Sequence, residues 1–419
     1  MEKTKKILTN TTLMTFVAMI LGAIFGIIFG EGMGNLKFIG TIWLDSIKMI
    51  IVPLVFCIMI TAIADQEDAI SLGRISIRTL IFYLITTILA TIIGIAVALI
   101  IKPGLGISLD GLAAVAIDSP EELTIQSFIS GLFSSNIFGT FSSGNIIQTL
   151  VIAILLGIAI LKMTNKEHKE FALKGLRSIN DMIFIYITMI IKLAPVGVFF
   201  LISDTFGLYG LSIFTSIAGF IGTFWIGIIL LMLIVYGSAL WMFARMNVFV
   251  FLKKSIPVWM FTLASCSSSA SVPVVIKSAK EDFNIPDGIA KFGLTLGSQI
   301  NSGGSAILYP AVLIFISQLY GIPLDLSTLI QMTIVATLLC TASGGVPGGG
   351  IVMMLVIVQT FGMPVEVVGI IAGFYRFIDM GTTTSNVLGD LVGTICVSKW
   401  EERTVAKEKV KGLENVEQA

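Results

Sequence analysis

Long apolar runs closed off by short polar stretches recur along the whole chain, at residues 12–30, 39–64, 79–101, 146–163, 179–203, 213–243, 289–319 and 363–397. Each approaches or exceeds the ~20 residues a helix needs to cross hydrocarbon, so each predicts a spanning helix. Two further apolar stretches, 255–278 and 328–361, are broken at the middle by polar tips: SCSSSASVP (Ser265 to Pro273) and TASGGVPGGG (Thr341 to Gly350). Their halves run to roughly 10–15 residues, too short to cross alone, and predict two re-entrant helical hairpins. Unsatisfied polar groups in hydrocarbon cost several kcal/mol each, so these tips need something polar to touch.

Charge supports the same layout, because loops on the cytoplasmic side collect Lys and Arg. Lys3, Lys5 and Lys6, then Arg74 and Arg78, the run Lys162 to Arg177, and Arg245, Lys253 and Lys254 fall on one side. The segments DSPEE (Asp118 to Glu122), SDTFGLYG and SQLYGIPLD, poor in basic residues, fall on the other. The first hairpin then enters from inside and the second from outside, and both termini are cytoplasmic. The expected fold is an all-α polytopic membrane protein with eight transmembrane helices and two opposed hairpins. Its closing part reads as an inverted repeat, a hairpin and a polar-interrupted span occurring twice, and tips meeting at mid-membrane build a solute site in secondary transporters.

Composition agrees: 56 % of the 419 residues are hydrophobic and 12 % charged, with a mean hydropathy of +0.99. That balance places the chain in a lipid bilayer. The run Leu13 to Gly30 lacks a small-residue cleavage site and is expected to be retained as the first helix. A formal net charge of zero gives no reason to expect nucleic acid. Cys57, Cys266, Cys340 and Cys396 show neither metal-ligand spacing nor a disulfide framework. No Walker loop, HExxH or CxxC is present, and the serine cluster has no histidine base, since His168, the single histidine, sits in a charged loop. An enzyme is not expected. A channel is the rival class, because oxygen-lined re-entrant loops also build pores.

The chemistry concentrates in two segments. In FYRFIDMGTTTSNVLGD (Phe374 to Asp390), Asp379, Thr383, Asn386 and Asp390 fall within about 60° at 100° per residue, with Tyr375 and Arg376 just beyond either edge. Ionisable groups at membrane depth cost at least ~2.5 kcal/mol each and are by default functional or paired. The alternative reading is an Arg376–Asp379 ion pair that cements the bundle. In GSQINSGGSAILYP (Gly297 to Pro310), glycines and small polar residues break the apolar rhythm and expose backbone carbonyls. Such carbonyls near Gly297, with Asn301, Asn386 and Asp390, form a hard oxygen set suited to Na⁺; the alternative is a glycine-lined helix crossing.

Together with LAPVGVF (Leu193 to Phe199) and IIKPG (Ile100 to Gly104), the serine-rich tip, the Asn-containing break, GGVPGGG and the terminal DMG…N…GD pattern resemble the dicarboxylate/amino acid:cation symporter family over essentially the whole chain. The resemblance implies a homotrimer with an elevator-type mechanism. Its scaffold would comprise 1–78 and 146–210; its moving part 79–145 (helix 3 and a loop), 211–254 (helix 6) and 255–400 (both hairpins with helices 7 and 8), with 401–419 a cytoplasmic tail. By that resemblance Asp379 holds a substrate α-amino group and Thr382, Thr383, Asn386 and Ser305 line the pocket. Ser267, Ser268 and Ser269, with the backbone from Val346 to Gly350, take a carboxylate. Sodium is the implied coupling ion, held by Gly297, Asn301, Asn386 and Asp390, with Tyr83, Thr86 and Thr87 at another site and Thr341 and Ser343 at the second tip.

Departures from the family pattern set the substrate expectation. Acidic-substrate members carry an arginine three residues after the amine-binding aspartate, and this chain has Thr382. Losing a charge-assisted bidentate pair disfavours an acidic substrate by several kcal/mol. The expected function is therefore sodium-coupled symport of a small neutral amino acid (Ser, Thr or Ala) across the cytoplasmic membrane. The alternative is an acidic amino acid or C4-dicarboxylate bound through Arg376, driven by sodium or protons. Gly303 stands where the family has a carboxylate, so a third sodium site is expected to be weak or absent.

Overall fold

The computed structural model describes residues 11–64, 74–105, 130–210, 212–342 and 349–417, and these are helical with connecting turns, without strands among the described residues. Helix α1 (Thr11–Phe29) leads through a 3₁₀ turn (Gly30–Leu36) into α2 (Lys37–Lys48) and α3 (Ile51–Ala64). Then come α4 (Arg74–Ile101), α5 (Ile137–Ser143), α6 (Ile146–Leu161), α7 (Lys166–Lys192) and α8 (Ala194–Tyr209). Helix α9 (Ser212–Leu230) continues through two π-helical segments, Leu231–Tyr236 and Leu240–Ala244.

The remainder is built from broken pairs. Helix α10 (Val248–Lys254) precedes α11 (Ile256–Ser265) and α12 (Ser268–Glu281), which turn at Cys266 and Ser267. Helices α13 (Asp287–Ile300) and α14 (Gly303–Tyr320) are separated by Asn301 and Ser302. Last come α15 (Leu326–Ala342), α16 (Gly349–Thr360) and the 52-residue α17 (Glu366–Glu417).

Among the described residues four helical stretches, 14–61, 74–101, 215–244 and 287–320, are long and apolar enough to cross a bilayer, and two bent pairs bring the number to six. Their outward faces carry large apolar side chains, among them Ile28, Ile92, Ile229 and Ile234, as lipid contact requires. By contrast 94 % of the apolar window in 287–320 is buried. The α13–α14 pair is therefore the centre of the molecule, and its polar break cannot face lipid.

Three expectations need correction. The span expected at 179–203 is two helices, α7 and α8, meeting at 52°. Pro195, near the start of α8, has no N–H to continue the ladder and disfavours helical geometry in the residue before it. The stretch at 39–64 is two helices, α2 and α3, joined without a sharp bend through a turn at Met49 and Ile50, directly before the helix bearing Pro53. The last span is not interrupted at all, and its helix runs on through Trp400 to Glu417. Its hydroxyls bond back to the preceding turn, Thr382 to the Ile378 carbonyl (3.3 Å) and Thr394 to that of Asp390 (2.8 Å), so polar residues there leave the ladder intact.

Helix α8 lies along α1 on a glycine ladder. A Cβ on Gly22 would sit 2.7 Å from the Phe199 carbonyl oxygen, and one on Gly26 would strike the Ser203 carbonyl and come within 2.9 Å of the Gly207 nitrogen. Such close backbone approach is how apolar helices gain packing energy without a hydrophobic drive between them. Gly26→Ala is expected to destabilise the protein by ~1–3 kcal/mol through overpacking, read as a lower thermal midpoint in detergent. Gly32→Ala, where nothing lies within 4 Å, should leave the midpoint unchanged.

Candidate functional site

Asn301 and Ser302 leave the helical path (φ −101° and −136°), so α13 ends and α14 begins inside the protein. A helix start buried this way has amides without intrahelical partners. Asn386 of α17 answers one of them: its Oδ1 accepts the Gly304 N–H at 2.8 Å. Asn301 turns the other way. Its Nδ2 donates to Asp390 Oδ1 at 2.8 Å and to the Asn386 carbonyl at 3.2 Å. Asp390 is 3 % exposed, and no cationic side chain lies within ion-pair distance of it among the described residues.

The neighbouring residues close this pocket with oxygen. A Cβ on Gly297 would sit 2.7 Å from both Asp390 Oδ1 and the Tyr83 hydroxyl, so glycine alone lets the carboxylate reach the end of α13. The Tyr83 hydroxyl donates to the carbonyls of Gly293 (3.2 Å) and Asp390 (3.1 Å). Asn301 Oδ1 and Thr87 Oγ1 are buried without a hydrogen-bond partner. One carboxylate with several neutral oxygens is a donor set for a hard cation. Gly297, Asn301, Asn386, Asp390 and Tyr83, all singled out in the sequence, thus meet at one place. Thr86 is committed to its own helix, donating to the Phe82 and Tyr83 carbonyls at 3.0 and 3.1 Å. Thr341 likewise donates to the Leu338 carbonyl at 2.7 Å; it lines, with Tyr83 and Ile300, a cavity of about 210 Å³. Ser343 lies outside the described residues.

Eleven residues earlier on α17, about 16 Å along its axis at 1.5 Å per residue, Asp379 forms a second polar centre. Its Oδ1 receives long hydrogen bonds from Tyr375 (3.4 Å), Thr383 (3.3 Å) and Thr382 (3.5 Å), all on its own helix. Its Oδ2 accepts none among the described residues. Arg376 makes no ion pair with Asp379. It reaches across to α11 and donates from Nη2 to the Ala264 carbonyl at 2.7 Å, capping the helix end beside Cys266. No Arg376–Asp379 contact within ion-pair distance is formed among the described residues.

The tips contribute unequally. Ser267 is the N-cap of α12, its Oγ accepting from Ala270 at 3.3 Å, so its hydroxyl is held by the backbone. Ser268 is half-buried at the start of α12, and Ser305 half-buried at the start of α14. The side chain of Ser269 and all of Val346 lie outside the described residues. Gly350, second in α16, presses on the Tyr375 ring so closely that a Cβ would overlap its hydroxyl. Thr382 is turned into its own helix and packs under Gly304, 3 % exposed, rather than lining an open pocket.

Two contacts escaped the sequence reading. Thr262 of α11 donates to Thr384 of α17 at 2.9 Å, tying the first tip to the final helix. Tyr236, wholly buried, brings its hydroxyl against Gly303 and Gly389. A threonine or a tyrosine within an apolar run carries no signal that separates such a contact from ordinary packing.

Known proteins resemble this sequence along nearly its whole length. The sequence model of the sodium:dicarboxylate symporter family matches residues 12–400. A proton/glutamate-aspartate symporter of Escherichia coli (strain K12) is 31 % identical over 87 % of this chain and 85 % of its own length. A C4-dicarboxylate transport protein of Laribacter hongkongensis is 28 % identical over 95 % and 91 %, and a proton/sodium-glutamate symport protein of Bacillus caldotenax 30 % over 92 % and 93 %. The match along nearly the whole sequence shows it: the chain belongs to the sodium:dicarboxylate symporter family, membrane transporters and not enzymes.

Proposed function

We propose that this protein is a secondary carrier that moves an acidic amino acid or a C4-dicarboxylate across the cytoplasmic membrane together with sodium or protons. One observation carries the coupling: Asp390 is buried with a single amide donor and no cationic partner. An uncompensated buried carboxylate is costly, and a bound cation removes that cost. Sodium is favoured by the neutral oxygens of Asn301, Tyr83 and the Gly297 backbone around it; a proton on Asp390 meets the same need.

The neutral-substrate expectation gives way to its alternative. Each relative compared above carries glutamate, aspartate or a C4-dicarboxylate by its name. Thr382 offers its hydroxyl to the Ile378 and Asp379 carbonyls, which undoes the argument that it replaces an anion partner with a neutral-binding hydroxyl. Arg376 supplies a cation from one turn earlier, at the first tip. Asp379 Oδ2 then takes an ammonium group and Arg376 a carboxylate. In this reading the chain crosses the bilayer eight times, the tips α11–α12 and α15–α16 enter from opposite faces with both termini cytoplasmic, and the unit of α4, α5 and α9–α17 moves against α1–α3 and α6–α8 within a homotrimer.

Purified protein in liposomes under inward sodium and proton gradients tests this. Labelled aspartate or succinate should accumulate, and excess unlabelled serine or alanine should leave that uptake unchanged. Accumulation of serine or alanine unopposed by aspartate, glutamate and succinate would restore the neutral substrate. Uptake that neither saturates nor follows a cation gradient would identify a pore.

A further inference from the structure

The π segment Leu231–Tyr236 is the first of two that continue α9. A π turn takes one extra residue and rotates the side chains that follow, and such turns gather at functional sites. Here it sends Tyr236 to the interior, where the hydroxyl wedges between Gly303 of α14 and Gly389 of α17 and would collide with a Cβ on either. The side chains of Ser385 and Asn301 lie beside that hydroxyl, and Asn301 Nδ2 lies 2.8 Å from the same would-be Cβ on Gly389.

Asn301 joins this pair to the Asp390 carboxylate, to which its Nδ2 donates at 2.8 Å. Its carboxamide is thus held between the coupling carboxylate and the Tyr236 hydroxyl. Hydroxyls both donate and accept, which suits Tyr236 and Ser385 to hold either end of an amide.

We propose that Tyr236, with Ser385, is a positioning residue for cation coupling: its hydroxyl holds the Asn301 carboxamide in place beside Asp390. This rests on the assignment of Asp390 as the coupling carboxylate. Gly303 and Gly389 are glycines because the phenol needs their space.

The test is uptake of labelled aspartate by full-length variants in liposomes, titrated with sodium at fixed pH and with protons in sodium-free buffer. Tyr236→Phe keeps the ring and should raise the half-saturating cation concentration about five- to tenfold, the worth of one net hydrogen bond. The aspartate KM at saturating cation should stay within twofold. Gly303→Ala should abolish uptake, and adding Tyr236→Phe should restore it to the level of Tyr236→Phe alone. The same addition should not rescue Gly389→Ala, because the Tyr236 ring carbon and Asn301 Nδ2 both lie 2.8 Å from that Cβ. An unchanged cation titration in Tyr236→Phe, while Asp390→Asn loses cation dependence, would overturn the role of Tyr236 and spare that of Asp390. Cation dependence surviving in Asp390→Asn would overturn both.

Discussion

Arg376→Ala is expected to lower kcat/KM for aspartate and succinate by roughly tenfold to a hundredfold. That is the range for one charge-assisted hydrogen-bonded contact, ~1.5–3 kcal/mol. Arg376→Lys should recover part of the loss, because it keeps the charge and loses the planar fork. The informative control is a neutral solute. If Arg376 serves only to cap α11 through the Ala264 carbonyl, the tip loosens and every solute suffers alike. If it is the anion partner, alanine or serine is affected least and gains relative to aspartate. Uptake of each by the same vesicles separates the two roles.

Asp390→Asn carries the other large effect, and it acts in opposite directions on transport and on stability. The amide is nearly isosteric but cannot balance a cation, and losing one partner from a buried charge pair costs about 3–5 kcal/mol. Cation-driven uptake should therefore fall more than a hundredfold. Without cation, the wild-type carboxylate stands alone in the interior, so the variant should melt at the same temperature or higher. Adding cation should raise the wild-type midpoint, by the equivalent of about 2.7 kcal/mol at a hundred times the dissociation constant, and leave the variant flat. A wild-type midpoint indifferent to both sodium and pH would remove Asp390 from the coupling site.

How much of this was legible beforehand depends on the kind of statement. The polar face of α17 follows from angular spacing alone, and the break of the central span from Asn301, Ser302 and two glycines in an apolar run. Both concern backbone and face, which local sequence controls. Side-chain commitments are set by neighbours distant in sequence. Asn386 shares a face with Asp390, but its carboxamide goes to the Gly304 amide because α14 begins there. Arg376 has an aspartate within reach on its own helix and chooses a carbonyl 112 residues away. Thr86 and Thr341 match ion-site positions by resemblance, yet both spend their hydroxyl protons on the preceding turn.

The neutral-substrate expectation, which the relatives do not support, rested on a related oversight. It judged charge at one position, residue 382, whereas an anion responds to the charge of the whole pocket. Arg376 stands on the turn before Asp379 and reaches across to the Ala264 carbonyl of α11, a direction that helical spacing does not encode. Tyr236 was hidden more completely. Its placement depends on one π turn, and nothing in the apolar run LLMLIVYGS announces where the helix will widen.

The central claim is that solute at Asp379 and Arg376 and cation at Asp390 bind one another's protein state. Because binding linkage is reciprocal, the direct measurement is equilibrium binding of labelled aspartate to the purified protein as sodium and pH are varied. The account predicts that aspartate affinity climbs steeply with one of these cations, that the cation's own affinity climbs by the same factor with aspartate, and that Asp390→Asn abolishes both. Aspartate affinity that is identical with and without either cation would contradict it.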